Sequence, residues 1–352
     1  MTASPNFHIF NRLQDSAADE RRKLVAGLRA ERAHIEPKYF YDELGCALYA
    51  AICQLDEYYP TRTERAIFQA HRAAIAEAVG GAGAGAKVGG GTFIDLGAGD
   101  CRKALSWLPF LAPQRYLAVD IAAPSLAAAL EKMAGDFPEV EMFGLATDFS
   151  ASLTIEDALM VGRRVVFYPG SSIGNFTPPD AVRFLRDIRR IVGGSRGGSF
   201  GGGVGTGGGV GTGGGGGDSG GSLVIGVDAK KDAAKLGAAY ADALGVTAAF
   251  NLNALRNVNR ILGANFDCAE WRHAGFYNAA LGRVEMHLEA TRNLTVRIDG
   301  ADRTFAKGER IHSESSYKYA RAEFEALLRE AGFAEIDCWT DAESAFWVFC
   351  AR

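Results

Sequence analysis

The chain has 352 residues, 48% of them hydrophobic, and a formal charge of −4 at pH 7, so it can bury the core of one large or two coupled domains. Its pI near 5.9 and the lack of a long Lys/Arg run argue against nucleic acid, because phosphate-backbone binding requires many cationic side chains. No apolar run approaches the roughly 20 residues of a membrane helix, and no basic segment with an apolar signal core begins the chain. We therefore expect a soluble, cytoplasmic, monomeric protein that binds neither nucleic acid nor membrane.

The six cysteines are scattered along the chain. None belongs to a C-x-x-C pair, and none has a histidine beside it at the spacing of metal ligands. The sequence therefore indicates neither a zinc site nor a disulfide framework, and we expect no metal.

Strand-like and helix-like segments alternate from about residue 64 to residue 228. Apolar residues at helical spacing predict a helix over residues 64–79. Short apolar runs then predict five strands, at residues 92–96, 116–119, 140–145, 165–168 and 223–227. This alternation is typical of a parallel sheet covered by helices.

The first of these strands runs into a glycine turn, Phe93-Ile94-Asp95-Leu96-Gly97-Ala98-Gly99, and Asp120 ends the next strand. Glycines at such a turn let the backbone approach a ligand, and the following carboxylate can accept hydrogen bonds from ribose hydroxyls. Arg102 occupies the place of the third glycine of the dinucleotide fingerprint. A phosphate-free nucleoside ligand such as S-adenosylmethionine is therefore favoured over a dinucleotide.

The C-terminal segment predicts a helix over residues 318–331, ended by Gly332, and then two apolar runs at 334–340 and 345–351 that can pair as a hairpin. Parallel βα units closed by a helix and an antiparallel hairpin are typical of class I S-adenosylmethionine-dependent methyltransferases. We therefore predict their α/β fold, with a Rossmann-like seven-stranded sheet. This prediction rests on analogy between folds.

The region between the fifth strand and the C-terminal helix follows another pattern. It predicts a helical stretch over residues 230–262 and a strand pair whose Val284, Met286 and Leu288 face one side. We predict an inserted α+β substrate-binding subdomain made of residues 13–61 and 229–313, with the N-terminal sixty residues outside the sheet. Residues 62–228 and 314–352 would form the cofactor-binding domain. The glycine-rich tracts 80–91 and 193–221 are both predicted to be flexible linkers and functionally neutral insertions.

Several motifs together resemble the histidine-specific methyltransferases of ergothioneine biosynthesis, the L-histidine Nα-methyltransferases. The resemblance runs from about residue 35 to the C-terminus. Its motifs are Phe40-Tyr41-Asp42, Glu57-Tyr58-Tyr59-Pro60-Thr61-Arg62, Asp95-Leu96-Gly97-Ala98-Gly99, Pro169-Gly170-Ser171-Ser172-Ile173-Gly174-Asn175 and Glu314-Ser315-Ser316-Tyr317-Lys318-Tyr319.

The resemblance implies which residues bind the co-substrate S-adenosylmethionine. Gly97 and Lys103 match positions that contact its amino-acid end. Asp120 matches the residue that binds the ribose hydroxyls, and the pair Asp148-Phe149 matches the residues that hold the adenine.

The resemblance also implies residues around the reacting amine. Gly170 matches a position beside the methyl donor. Asn175 and Tyr240 match residues that bind the histidine carboxylate and orient the amine, and Tyr58 matches a tyrosine in the same pocket. Tyr41 matches a tyrosine near the amine, so Tyr41 and Asn175 are the candidate catalytic residues.

Glu314 and Ser316 match positions that bind the imidazole ring, and Met286 matches a methionine that contacts it. A neutral imidazole has one N–H donor and one acceptor, so a carboxylate and a hydroxyl can satisfy both. The implied reaction is three successive Nα-methylations of L-histidine to trimethylhistidine (hercynine), the first step of ergothioneine biosynthesis.

Two other functions stay open. One is a methyltransferase of the same fold that acts on another amino acid or small amine. The other is a catalytically silent binding or scaffold protein. Structural roles are also open for single residues: Tyr41 and Tyr58 as half-buried tyrosines, Asn175 as a turn residue, Glu314 as a helix N-terminal carboxylate and Met286 as a core residue.

Overall fold

A computed structural model describes residues 7–13, 17–80, 90–150, 152–193 and 220–352. The glycine-rich tract predicted at 193–221 lies outside the described residues except at its ends, and so does most of the tract at 80–91. The described residues form thirteen strands: β1 (Phe7–Asn11), β2 (Thr92–Leu96), β3 (Arg115–Asp120), β4 (Glu141–Ala146), β5 (Arg164–Tyr168), β6 (Ser222–Asp228), β7 (Trp271–Asn278), β8 (Arg283–Ala290), β9 (Leu294–Ile298), β10 (Ala301–Phe305), β11 (Arg310–Tyr317), β12 (Ile336–Thr340) and β13 (Phe346–Ala351).

The α-helices are α1 (Ala17–Arg29), α2 (Glu43–Ile52), α3 (Pro60–Gly80), α4 (Arg102–Leu105), α5 (Leu108–Leu111), α6 (Ala123–Asp136), α7 (Pro178–Gly193), α8 (Ala233–Ala238), α9 (Val246–Leu262) and α10 (Arg321–Glu330). Short 3-10 helices lie at Pro37–Phe40, Asp157–Leu159, Ser172–Asn175 and Cys268–Glu270. Among the helices of the described residues, none has the length and apolarity needed to cross a membrane.

The large sheet has eight strands in the order β1-β4-β3-β2-β5-β6-β13-β12. The six strands from β1 to β6 are parallel, whereas β13 is antiparallel to both β6 and β12. Helices α7 and α10 pack on one face, and α3 and α6 pack on the other. β2 and β6 are buried along their whole length because helices cover both faces of the sheet.

This topology confirms the predicted fold class, including the five parallel strands and the C-terminal hairpin. The prediction of seven strands was wrong by one, because β1 adds an eighth strand beside β4. The N-terminal segment therefore does not lie wholly outside the sheet. The five residues of β1 are too few for their hydrophobic pattern to identify a strand.

Two predicted helices also differ. The stretch 230–262 is divided into α8 and α9, and Gly245 before α9 has a φ of 74°. The C-terminal helix begins at Arg321 rather than at residue 318. Tyr319 is still extended there, where its backbone N–H donates to Asp228 O at 3.2 Å.

A second group of elements packs beside the carboxyl ends of the parallel strands. It contains the three-stranded antiparallel sheet β11-β8-β7, the hairpin β9-β10 and the helices α1, α2, α8 and α9. Two apolar clusters of its own fill the space between these helices and the small sheet. β11 is continuous across residues 313 and 314, where the predicted subdomain ends.

The replacement Gly226→Ala should destabilise the fold. Gly226 lies in β6, and a Cβ atom there would overlap the carboxylate of Glu64, which is buried against the strand. We expect the free energy of unfolding to fall by about 1–3 kcal/mol, as for other overpacked cores. Urea unfolding measures this change. The control Gly135→Ala adds a methyl group with no neighbour within 4 Å, and its stability should stay within about 1 kcal/mol of the wild type or rise. Equal effects of both substitutions would contradict the prediction.

Candidate active site

The glycine turn after β2 and the carboxylate at the end of β3 form one unit. Gly97 and Gly99 have φ values of 66° and 54°, a region that side chains with a Cβ rarely adopt. The Gly99 N–H donates to Asp120 Oδ2 at 2.9 Å, and the Ala122 N–H donates to Asp120 Oδ1 at 2.9 Å. The Asp120 carboxylate is therefore held in place and retains lone pairs for ligand hydroxyls.

A buried glutamate, which the sequence analysis did not identify, links two of the predicted cofactor residues. Glu64 on α3 accepts from Lys103 Nζ at 2.7 Å and from the Gly170 N–H at 2.6 Å. Its side chain is only 1% exposed. The sequence gives one sign that Glu64 lies close to β6: Gly226 is a glycine inside a fully buried strand, and a side chain there would meet the Glu64 carboxylate. Lys103 and Gly170 thus lie side by side at the carboxyl edge of the sheet.

Asp148 and Phe149 follow β4 and lie on the other side of the cleft. Asp148 accepts from Ser150 N at 3.0 Å and from Lys38 Nζ at 3.1 Å. Burial alone would raise the pKa of Asp148, but the bonds from Ser150 and Lys38 outweigh it and lower the pKa. The Phe149 ring stacks on Phe184 with centroids 5.7 Å apart. Asp148 and Phe149, the residues predicted to hold the adenine, are therefore each held in place by neighbouring side chains.

Four tyrosines form a row of edge-to-face contacts. The ring centroids of Tyr41 and Tyr49 are 5.8 Å apart, those of Tyr49 and Tyr58 are 6.4 Å apart, and those of Tyr58 and Tyr240 are 6.2 Å apart. Phe250 on α9 packs against Tyr41 and Tyr49. Tyr49 was not among the predicted site residues, because its position on α2 gives no sign of what it faces. We take this row as one wall of the predicted substrate pocket.

The ionisation of Tyr41 shows what surrounds it. Burial raises the pKa of Tyr41 well above its usual value, and Tyr49, Glu314 and Asp120 raise it further. Tyr41 therefore lies within electrostatic range of Glu314, which is predicted to bind the imidazole ring, and of Asp120, which is predicted to bind the ribose. Its phenol stays protonated at neutral pH.

A β-bulge turns the predicted imidazole-binding residues toward this pocket. Ile311 is paired with β8 on the buried face, and the register then shifts between His312 and Glu314. If Ser313 were paired in regular alternation, Glu314 and Ser316 would face the side opposite to Ile311; the bulge leaves Ser313 as the extra residue. With it, Glu314 pairs with Met286, which is 2% exposed. Because Glu314 lies in a strand, its interpretation as a helix N-terminal carboxylate is wrong.

Asn175 reaches the same place from the large sheet. It ends the 3-10 helix Ser172–Asn175 that follows β5 and Gly170. In the amide orientation that pairs both its oxygen and its nitrogen, the Asn175 side chain donates to Glu314 Oε1 and to Ser315 O, both at 3.2 Å. Burial raises the pKa of Glu314 to about 7, and the nearby Lys318 charge opposes this rise.

Behind this pocket lies a buried ion cluster that the sequence analysis did not identify. Lys318 Nζ donates to Tyr240 Oη at 3.0 Å, to Ser316 Oγ at 2.8 Å and to Asp228 Oδ2 at 2.9 Å. Tyr240 Oη also donates to Ser316 Oγ at 3.0 Å. Asp228 and Lys318 are 0% and 1% exposed.

Asp228 has two further partners. Lys231 pairs with its carboxylate, and Tyr59 Oη donates to it at 2.8 Å. The backbone N–H of Asp228 donates to Ser171 Oγ at 2.8 Å. Burial alone would raise the pKa of Asp228, but Lys318 and Lys231 outweigh it and hold the pKa below its usual value.

The structure therefore brings the predicted residues into two adjoining groups. The first lies at the carboxyl edge of the parallel strands and contains Gly97, Lys103, Asp120, Asp148, Phe149 and Gly170. The second lies between that edge and the small sheet and contains Tyr41, Tyr58, Asn175, Tyr240, Met286, Glu314 and Ser316. Within the described ranges, no group of three or more His, Cys, Asp or Glu side chains is placed to hold a metal ion.

The first group fits a nucleoside with a charged amino-acid end. The left-handed glycines Gly97 and Gly170 leave room for close approach, and the Asp120 carboxylate stands where ribose hydroxyls would donate. A parallel sheet in the order β4-β3-β2-β5-β6 that ends in an antiparallel β13 and β12, with this cleft at its carboxyl edge, defines a class I methyltransferase. This class uses S-adenosylmethionine as the methyl donor.

Comparison with known proteins gives the family. A family described as histidine-specific, S-adenosylmethionine-dependent methyltransferases matches residues 20–205 and 210–352. The chain belongs to this family. The histidine N-alpha-methyltransferase of Mycolicibacterium smegmatis is 35% identical, with 94% of each chain covered. That of Mycobacterium tuberculosis is 33% identical, with 93% of this chain and 92% of the relative covered.

A more distant relative bears a different name. The N-methyltransferase fsqC of Aspergillus fumigatus is 26% identical over 92% of this chain and 81% of its own length. This relative is not named for histidine, so overall sequence identity does not by itself give the substrate. The residues of the predicted pocket are therefore the basis for assigning one.

The raised pKa of Glu314 predicts a pH-dependent effect on stability. Between its unfolded value of about 4.3 and its folded value of about 7, the folded chain binds more protons than the unfolded chain. The Glu314 carboxyl group therefore lowers the free energy of unfolding as the pH rises from about 4.3 to about 7. We expect Glu314→Gln to be more stable than the wild type by about 3–4 kcal/mol at pH 8, and nearly equally stable near pH 4.5.

Urea unfolding of both proteins at the two pH values measures this difference. The control Glu131→Gln changes an exposed carboxylate on α6 and should shift stability equally at both pH values. A Glu314→Gln protein that is less stable than the wild type at pH 8 would contradict the prediction.

Proposed function

We propose that the protein is an S-adenosylmethionine-dependent L-histidine Nα-methyltransferase. It would convert L-histidine by three successive methylations to Nα,Nα,Nα-trimethyl-L-histidine, hercynine, in the first step of ergothioneine biosynthesis. The observation that carries the proposal is the pair Glu314 and Ser316, a carboxylate and a hydroxyl on one strand face inside an aromatic pocket beside the cofactor cleft. Membership of the family supports the same assignment.

For the co-substrate, we assign the first group of residues. Asp120 would accept hydrogen bonds from the ribose hydroxyls, and Asp148 would accept one from the adenine amino group. Phe149 would pack on the adenine ring. Gly97 and Lys103 would contact the amino-acid end. When bound, S-adenosylmethionine supplies an electrophilic methyl group on a sulfonium, so the chain itself need not activate the methyl donor.

The imidazole ring would bind between Glu314 and Ser316, with Met286 as an apolar contact. The carboxylate accepts the ring N–H, and the hydroxyl donates to the bare ring nitrogen. A substrate with an aliphatic side chain would leave the second carboxylate oxygen of Glu314 and the O–H of Ser316 buried without a hydrogen-bond partner, which costs more binding energy than an apolar pocket can recover. This difference is the physical basis of the proposed specificity.

The amine would lie between Tyr41 and Asn175, with Tyr58 and Tyr240 as the further pocket tyrosines that bind or orient the amino-acid end. Holding the amine in line with the methyl group can contribute about 7–11 kcal/mol through orientation. An α-amino group has a reference pKa near 8, so a proton must leave before each attack. Because the pKa of Tyr41 is raised, Tyr41 would act through its neutral hydroxyl, as a relay rather than as a phenolate base.

The product of three cycles carries a fixed positive charge. The first two methylations each leave a proton to be lost, and the third leaves a quaternary ammonium. Faces of aromatic rings attract such a cation. The row of tyrosines, which includes Tyr49, would stabilise the ammonium next to Tyr41 without a counter-charge.

We also infer the organisation around the site. Residues 13–61 and 229–313, extended by β11 to residue 317, would form the substrate-binding subdomain, and the rest would bind the cofactor. We propose that the chain acts as a monomer in the cytoplasm, without a metal, a nucleic acid or a membrane. Light scattering after gel filtration tests the oligomeric state.

The direct test of the function is a methylation assay. The purified protein is incubated with S-adenosylmethionine and each amino acid separately, and mass spectrometry follows gains of one, two and three methyl groups. We expect all three gains on histidine alone. Methylation of another amino acid or amine instead would replace the proposed substrate, and no methylation with intact cofactor binding would indicate a silent binding protein.

The variant Glu314→Gln tests the ring-binding role. An amide cannot offer two acceptor oxygens, so kcat/KM for histidine should fall by at least about 100-fold. The affinity for S-adenosylhomocysteine, measured by calorimetry, should stay within about threefold of the wild type. Loss of both properties to the same extent would make Glu314 a structural residue.

The pH profile of the wild type provides a further test. Glu314 must be ionised to accept the ring N–H, and its pKa in the free protein is about 7. The imidazole must be neutral, and its reference pKa is about 6.5. We expect kcat/KM to fall at least about tenfold from pH 8 to pH 6. A flat profile over this range would contradict the proposed binding mode.

A further inference from the structure

The Lys318 ammonium, behind the proposed imidazole site, has a fixed partner for each of its three N–H groups. They go to the Asp228 carboxylate at 2.9 Å, the Tyr240 hydroxyl at 3.0 Å and the Ser316 hydroxyl at 2.8 Å. The ammonium is 1% exposed, so water does not compete for these bonds. Two of the three bonds end on residues that we assign to the pocket.

The hydrogens of this group can be counted. A serine hydroxyl accepts two hydrogen bonds and donates one. Ser316 Oγ accepts one bond from Lys318 and a second from Tyr240 Oη at 3.0 Å. Tyrosine is the donor in the second bond because a phenol is a stronger acid than an aliphatic alcohol. With both acceptor positions of Ser316 occupied, only its own O–H remains for a ligand.

We propose that Lys318 is a positioning residue that makes Ser316 an obligate hydrogen-bond donor and thereby selects the neutral imidazole ring of the substrate. This inference rests on the proposed function. Ser316 donates to the bare ring nitrogen, while Glu314 accepts from the ring N–H. An imidazolium ring has two N–H groups and no acceptor, so it leaves the Ser316 hydrogen facing another hydrogen.

The charges around Lys318 keep it protonated through the working range. Burial alone would lower the pKa of Lys318, but Asp228 and Tyr240 outweigh it and raise the pKa above its usual value. The titratable groups that face this cluster are Asp228 from β6, Lys231, Tyr59, Tyr240 and Glu314. Asp228 is already ionised well below neutral pH.

The assignment also changes the role of Tyr240. Its hydrogen is directed to Ser316, and its oxygen already accepts from Lys318. Tyr240 thus contributes its ring to the row of tyrosines and its hydroxyl to the orientation of Ser316.

A double-mutant cycle tests the inference. Lys318→Met is made in the wild type and in a Ser316→Ala protein, and kcat/KM for histidine is measured for all four chains. If Lys318 acts through Ser316, Lys318→Met should lower kcat/KM by about 100-fold in the wild type and by less than about threefold in the Ser316→Ala background. Equal factors in both backgrounds would overturn the inference.

The matched control is Lys231→Met. Lys231 pairs with the same Asp228 carboxylate and donates to the Tyr59 hydroxyl, and neither of these partners is Ser316. Its substitution should lower kcat/KM by the same factor with and without the Ser316 hydroxyl. If Lys231→Met is coupled to Ser316→Ala as strongly as Lys318→Met, the effect belongs to the ion cluster as a whole, and the inference fails.

A measurement on the wild type covers the case in which Lys318→Met does not fold. Histidine labelled with ¹⁵N in its ring is bound together with S-adenosylhomocysteine, and the ring nitrogens are observed by NMR at pH 6. We expect one protonated and one bare nitrogen, although free histidine is mostly protonated at this pH. Two protonated nitrogens would overturn the inference.

The outcomes separate the two proposals. If the wild type methylates histidine but the cycle shows no coupling, the role of Lys318 is wrong and the proposed function stands. If the wild type neither binds nor methylates histidine, the proposed function is wrong.

Discussion

The buried ion pair between Asp228 and Lys318 is the interaction on which the rest of the site depends. Asp228 is the last residue of β6, the last parallel strand along the chain, and Lys318 follows β11, the last strand of the small sheet. Burying a charge without a partner is very costly, so neither residue can leave the other without destabilising the fold. The pair therefore fixes the distance between the large sheet, at whose edge we place the cofactor, and the small sheet, which carries the residues we assign to the substrate.

Two other buried or half-buried charges connect the N-terminal segments to the cleft. Glu64 brings α3 against β6 and ties Lys103 to the backbone of Gly170. Lys38 brings the 3-10 helix that precedes Tyr41 against Asp148. In each case a charged side chain from outside the parallel strands completes the surroundings of a cofactor residue. Cofactor and substrate positions are thus built from the same set of contacts, and this arrangement suits a reaction that depends on orientation.

The residues that the sequence analysis did not identify have a common feature. Tyr49, Glu64, Asp228 and Lys318 act through contacts between elements that are distant in the chain; Glu64 and Lys103, for example, lie 39 positions apart. Single residue types in a helix or at a strand end do not indicate such partners. By contrast, the glycine turn and Asp120 could be predicted because their contacts are made within one βα unit, where spacing and geometry are directly related.

The amino-acid sequence by itself determined the order of helices and strands, the class of fold and the chemical kinds of residue available to the site. Hydrophobic periodicity and turn glycines express these properties locally. Only the tertiary structure decided that β1 joins the large sheet, that the bulge at Ser313 turns Glu314 and Ser316 into the pocket, and that one ammonium holds Tyr240 and Ser316 together. These features depend on the pairing of distant strands and on burial. A one-residue shift in register moves a side chain to the other face of the sheet. A charge buried away from water is stable only beside a charged or hydrogen-bonding partner.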